Sequence, residues 1–166
     1  MPSAATIEAL FIDELTAATR DVFKTMVFQE VEVLSPIAGE ARRPKANVVG
    51  TVAFAGKTTG LVVFYSTLDA AQIITASMLG LNPARVHGEL LPDAIGELTN
   101  MIAGSFRSRV AHAKGEMWAI SVPAVTIGSD FDIRYVSDVQ RVLCPFRMKN
   151  KAELFVELIV IRSARQ

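Results

Sequence analysis

Apolar residues recur along this chain at two periods, and each change of period marks a change of element. Ile7, Leu10, Phe11, Leu15, Ala18, Val22 and Met26 share one helical face, with Asp13, Glu14, Arg20 and Lys24 opposite, which predicts a helix over 5–27. Ser3 or Thr6 can cap it. From Gln29 to Ile37 the pattern alternates, is β-branched and brackets a Ser-Pro break, so a strand is expected; Gly39 to Lys45 is a polar loop whose Arg42-Arg43 pair is read as solvated. Strands follow at 47–55 and 61–66 around a Gly56–Gly60 turn. Helical spacing returns at 68–79 and stops at Gly80, ahead of Pro83. After a connector at 82–88, a second long helix is predicted from Glu89 or Pro92 to Ala113, where Lys114-Gly115 ends it. Runs at 117–127, 133–144 and 154–161 read as three more strands, with Arg147–Glu153 as the turn before the last.

Composition narrows the class without naming a function. At 166 residues, 51% hydrophobic and 20% charged, the chain suits one globular domain, residues 1–166. Seventeen basic side chains balance 17 acidic ones, so there is no electrostatic footprint for nucleic acid or an anionic membrane surface. The start lacks a basic, then apolar, secretion signal and no run approaches a membrane span, which makes the cytoplasm the expected location. A single cysteine, Cys144, lies in an apolar run and reads as a small core residue. His87 and His112 are isolated, so no metal site is expected. Gly56-Lys-Thr lacks the preceding glycine and the following helix of a phosphate-binding loop.

The second long helix holds the chemistry. Ile95, Leu98, Ile102 and Phe106 form its core stripe, while Asp93, Glu97, Asn100, Gly104 and Ser108 fall on the opposite side. By residue type alone, the wet side of an amphipathic helix is the commoner explanation. Yet Gly96 and Gly104 each cost a helix about 1 kcal/mol relative to alanine, which is more easily tolerated where something approaches the surface closely. Glu97 and Asn100 are neighbours three residues apart. A carboxylate can anchor a cation, and an amide can both donate to and accept from a water. Neither is a nucleophile, so the pair suits positioning a water in another protein's site better than covalent catalysis. A helix-packing face built on Gly96 and Gly104 stays open as the rival.

Asp93-Ala-Ile-Gly-Glu97-Leu-Thr-Asn100-Met-Ile-Ala-Gly104 resembles the phosphatase motif of the CheC/CheX/FliY family of chemotaxis proteins. Ser66 to Gly80 resembles the helix before that motif in the CheX branch, and the similarity covers most of the chain. The resemblance implies an α+β fold: a mostly antiparallel sheet with long helices on one face, built from two pseudo-symmetric halves. The pseudo-repeats are placed at about 5–66 and 89–162, with a bridging helix at 68–80. Glu14-Leu-Thr-Ala17 lies on Glu97-Leu-Thr-Asn100, Phe23 on Phe106, and Phe54 and Phe146 lead equivalent hairpins. Ala17 then stands in the place of Asn100 and Leu10 in that of Asp93. The first half therefore lacks the amide, an arrangement similar to the one-motif CheX branch.

The implied function is dephosphorylation of the aspartyl phosphate of a CheY-type response regulator. Asn100 is expected to orient the attacking water and Glu97 to pair with the regulator's lysine, with Asp93, Gly96, Gly104 and Ser108 meeting the partner. Asp93 reads equally as a rim charge or as a first-turn acid favoured by the helix dipole. No cofactor is expected on this chain, because Mg²⁺ belongs to the regulator, and pairing through strands into a homodimer is expected. Two other classes compete: a non-catalytic adaptor of the same fold for a regulator or a flagellar switch component, and a structural or dimerisation module.

Overall fold

The computed structural model describes residues 7–39, 44–129, 133–135 and 138–162. Helix α1 (Ala9–Val22) continues into a π-helical turn, Phe23–Val27, and Phe28 closes it in the left-handed region at φ 59°. Two short strands follow, β1 (Glu32–Val33) and β2 (Ile37–Ala38), then the hairpin of β3 (Val48–Ala55) and β4 (Gly60–Ser66). Helix α2 (Leu68–Leu79) is capped by the Thr67 hydroxyl, which accepts from the Ala70 N–H, and ends at Gly80 with φ 66°. A 3₁₀ turn, Pro83–Arg85, leads into α3 (Leu90–Lys114), closed by Gly115 at φ 69°. The chain finishes with β5 (Ala119–Ile120), β6 (Ala124–Ile127) and the hairpin of β7 (Val139–Arg147) and β8 (Glu153–Ile161).

Four expectations about elements need correction. The first helix begins at Ala9 and its last turn widens, so it is not one regular helix over 5–27. Its proposed caps, Ser3 and Thr6, lie outside the described residues, as do Arg42 and Arg43. The strand predicted from Gln29 to Ile37 is two short strands, because the Ser35-Pro36 break cannot hold a continuous ladder. The run at 117–127 is divided in the same way at Pro123. The seventh strand starts at Val139 and passes through Pro145 to Arg147, not from Ile133 to Cys144. Ile133 and Tyr135 instead pack onto the sheet as part of its cover.

All strands join one eight-stranded antiparallel sheet in the order β1-β7-β8-β4-β3-β5, with β2 also on β7 and β6 also on β3. This order is symmetric about the central β4–β8 pair. Each half contributes a helix, two short strands and a hairpin, and its short strands pair with the hairpin of the other half. The registers agree in detail: Phe54 pairs with Gly60 and Ile120, and Phe146 with Leu154 and Val33. The pairing makes the two phenylalanines equivalent.

The helices cover one face. Alternation along the strands sends Val48, Val52, Phe54, Val62, Phe64, Cys144, Phe146, Leu154, Val156 and Leu158 into a core shared with Phe11, Leu15, Ile74, Ile95, Leu98, Ile102 and Phe106. The opposite face carries a smaller cluster of Val49, Val63, Tyr65, Leu143, Phe155 and Ile159. Within it Glu157 is 1% exposed, accepts from the Tyr65 hydroxyl at 2.6 Å, and is bridged by the Arg141 guanidinium at 2.6 Å. The Tyr135 ring lies against that guanidinium, 5.3 Å from centroid to Cζ.

Candidate functional site

Helix α3 sits on β3 and β4 through two contacts of different character. Near its N-terminal end, Thr99 lies directly over Gly50, where a side chain on β3 would overlap the Thr99 hydroxyl. That hydroxyl donates back to the Ile95 carbonyl at 2.7 Å, so it is satisfied within the helix. A glycine inside a strand otherwise rich in valine is the sequence signature of such an approach. Seven residues on, Phe106 enters an aromatic cluster: its ring centroid is 6.1 Å from Phe11 and from Phe54, and 5.5 Å from Trp118, which stacks on Phe54 at 4.7 Å. The helix is thereby fixed in height at one end and in roll at the other.

Its C-terminal half is tied to α1. Arg109 bridges Glu14, at 3.3 Å, and Asp21, and Lys114 bonds Glu8 at 2.7 Å. The polar face, from Asp93 to Ser108, has no such ties among the described residues. Asp93, Glu97 and Ser108 are exposed, and Asn100 and Gly104 partly so. Among the described residues, the side chains of Asp93, Glu97, Asn100 and Ser108 make no hydrogen bond or ion pair with the rest of the chain. Glu97 and Asn100 stand one helical turn apart on solvent, held by a rigid backbone and spent on nothing internal. The backbone beneath them is fixed, so an incoming molecule has only their side-chain rotamers to order.

The two glycines divide. Around Gly104 nothing lies within 4 Å of where a Cβ would be, so that turn of the helix is bare and open. Gly96 is buried, and its Cβ position lies 3.4 Å from Val125 and 3.7 Å from Pro123. The space beside Gly96 is filled by β6 and the link before it, whereas that beside Gly104 is open. On α1, Ala17 is half-buried and Arg20 and Asp21 are exposed, with Asp21 taken by Arg109. The first half presents no amide at this position. Among the described residues, no three His, Cys, Asp or Glu side chains lie together in a metal-binding group. No described helix is long and apolar enough to cross a membrane.

Gly50, Thr99 and Trp118 are the residues that sequence reasoning passed over. Each positions the polar face and none belongs to it. Gly50 was detectable as a glycine interrupting a β-branched strand; Trp118 had no comparable signal.

Residues 48–147 match the family model for the chemotaxis phosphatase CheX. A comparison with curated proteins finds no match. Among solved structures, a CheC-like superfamily protein from Shewanella sp. PV-4 superposes with a TM-score of 0.83 at 25% identity, covering 94% of this chain and 100% of its own. The chemotaxis protein CheX of Desulfovibrio desulfuricans gives 0.81 at 25% identity, covering 90% and 98%. CheX of Borrelia burgdorferi, in its complex with CheY, BeF₃ and Mg²⁺, shares the fold with a TM-score of 0.74 at 21% identity, covering 92% and 98%. The family match spans more than half of the chain and includes the whole of α3 with its Asp93–Asn100 face, so this protein belongs to the CheX family of chemotaxis phosphatases.

Proposed function

We propose that this protein removes the phosphoryl group from the aspartyl phosphate of a CheY-type response regulator. The observation that carries the reading is the Glu97–Asn100 pair, Glu97 exposed and Asn100 partly so, with no side-chain bond among the described residues and set on a helix seated closely on the sheet. Family membership supports it, as does the relative of the same fold from Borrelia burgdorferi described with CheY, BeF₃ and Mg²⁺.

In this reading the regulator brings the acyl phosphate and the Mg²⁺, and this chain brings an amide and a carboxylate. Asn100 enters the regulator's site. Its carboxamide oxygen accepts from a water and its NH₂ donates to a neighbouring oxygen, holding the water in line for attack on phosphorus. The phosphorus–oxygen bond to the aspartate then breaks, releasing inorganic phosphate and the free carboxylate. Glu97 pairs with the regulator's lysine and sets the register of docking. Positioning of this kind can lower a barrier by several kcal/mol without a covalent intermediate. Gly104 lets the partner's backbone approach the helix, and Ser108 and Asp93 lie at the two ends of the docking face. The same reading places the protein in the cytoplasm, with its regulator, and pairs two copies through an edge of the sheet, which light scattering in solution tests.

The test is the decay of a phosphorylated regulator from the same cell with catalytic amounts of this protein. Acceleration with multiple turnovers is expected. Binding with unchanged decay, across the cell's regulators, overturns the phosphatase reading in favour of an adaptor.

A further inference from the structure

Beside the polar face of α3 stands an apolar side chain that the reading above leaves unused. Val122 is 84% exposed, in the link between β5 and β6. Scattered exposed valines are ordinary. This one is distinguished by where it is held.

Its place along α3 follows from the sheet register. Ser121 donates its N–H to the Ala53 carbonyl at 2.8 Å, its hydroxyl accepts from the Ala53 N–H at 2.9 Å, and Ala124 pairs with Thr51. Val122 and Pro123 therefore run alongside Thr51–Ala53. The helix crosses the same stretch of β3, with Thr99 over Gly50 and Phe106 against Phe54. Four strand residues and seven helical ones both span roughly 10–13 Å, so the link runs alongside α3 from Gly96, where Pro123 packs, toward the level of Asn100. The lateral position is set by Pro123 and Val125, which pack at Gly96. On the helical wheel Gly96 lies on the flank toward which Asn100 and Arg107 turn. Val122 thus stands at the rim of the polar face, on Asn100's side, in a backbone pinned by hydrogen bonds at Ser121 and by ladder pairing from Ala124. An apolar side chain on a pinned backbone beside a polar centre can be covered by a partner at little cost of ordering.

We propose that Val122, backed by Pro123, is a docking anchor for the phosphorylated regulator. The inference rests on the phosphatase reading, and it concerns recognition, not the chemical step. It commits the 121–123 link to the regulator and not to a second copy of this chain.

Steady-state decay of the phosphorylated regulator, measured over a range of regulator concentrations, tests it with Val122→Ser. The matched control is Met117→Ser: Met117 is 82% exposed but follows the far end of α3, and its carbonyl lies against Gly56 in the β3–β4 turn. Val122→Ser is expected to raise the half-saturating regulator concentration about tenfold and to leave the maximal rate within about twofold, with Met117→Ser changing neither. A Val122→Ser protein with wild-type kinetics overturns the proposal and leaves the phosphatase reading intact. So does one whose only change, by light scattering, is loss of self-association, since the occupant would then be a second copy. A wild type that accelerates no regulator removes the reading and the anchor together.

Discussion

Gly50 and Thr99 lie so close that β3 can carry no side chain at that point without displacing α3. Thr99 precedes Asn100, so this contact sets the height of the turn that presents the amide. The pseudo-symmetric strand position has no glycine. By sheet pairing the position equivalent to Gly50 is Val142: Gly50 faces Phe64 and Val125, and Val142 faces Leu158 and Ala38. The helix that bears the polar face, α3 of the second half, is seated on a glycine of the first half's β3, whereas the equivalent position on the second half's β7 is a valine.

Gly50→Ala is expected to cost about 1–3 kcal/mol of stability, the usual range for overpacking a well-filled interface, measured by denaturant unfolding. Thr99→Ala in the same chain removes the overlapping hydroxyl and is expected to restore part of the loss. The neighbouring Cβ of residue 99 would still sit only 3.1 Å from the new methyl, so recovery is incomplete. An unchanged unfolding midpoint for Gly50→Ala would show that the helix can lift freely, and the seating argument would fall.

On the far face of the sheet, Glu157 holds Arg141 and Tyr65 together in a place nearly closed to water. Burial, the largest single influence, opposes the guanidinium's charge, but the hydrogen bond to Glu157 and the charges of Glu157, Tyr65 and Tyr135 together outweigh it and raise the Arg141 pKa. Glu157→Gln removes the counter-charge and leaves that cation buried, at a cost expected near 3–5 kcal/mol. Replacing Glu157 and Arg141 together by leucine should recover most of it, because the desolvated pair is then absent altogether. A loss below about 1 kcal/mol for Glu157→Gln would mean that the ion pair is effectively solvated.

Much of this fold was legible in hydrophobic spacing. The span of α2, and that of α3 to within two residues, followed from period and from glycine stops, and both hairpins from alternating runs around turns. The polar face of α3 was legible too, since Asp93, Glu97 and Asn100 keep one side of a helix whose other side is apolar. What could not be read is tertiary. Whether Gly96 or Gly104 faced an outside partner depended on where β6 would lie, and no local pattern gives that. The division of the short strands at Ser35-Pro36 and Pro123 was signalled by proline, but their pairing with the opposite half's hairpin is a property of the whole sheet. The Glu in Leu154–Ile161 was visible as a charge inside an apolar run; its partners, Tyr65 and Arg141, are distant in sequence.

Two buried acids give the protein a defined alkaline limit. Burial pushes the Cys144 thiol up to about 12, despite a hydrogen bond with Thr16 that acts the other way. Burial, reinforced by the negative charge of Glu157, raises the Tyr65 hydroxyl as well. Both groups stay protonated in the folded chain after their unfolded counterparts, with ordinary values of 9.0 and 10.0, have ionised. Their contribution to stability is therefore complete below about pH 9 and is lost progressively as pH rises beyond it. Unfolding midpoints should fall between pH 9 and 11, and Cys144 should resist alkylation at pH 8 until denaturant opens the fold. Rapid native labelling, or a midpoint that rises with pH, would contradict this.

In the proposed reaction Asn100 holds the water. The most direct measurement is single-turnover decay of a phosphorylated CheY-type regulator in the presence of saturating wild type or Asn100→Ala, with circular dichroism confirming an unchanged fold. Asn100 is partly exposed and makes no side-chain bond with the described residues, so the substitution should leave stability within about 0.5 kcal/mol. The bound rate should fall about a hundredfold, toward the regulator's own decay. An Asn100→Ala protein that accelerates decay as the wild type does would contradict the mechanism, because some other group would then have to place the water.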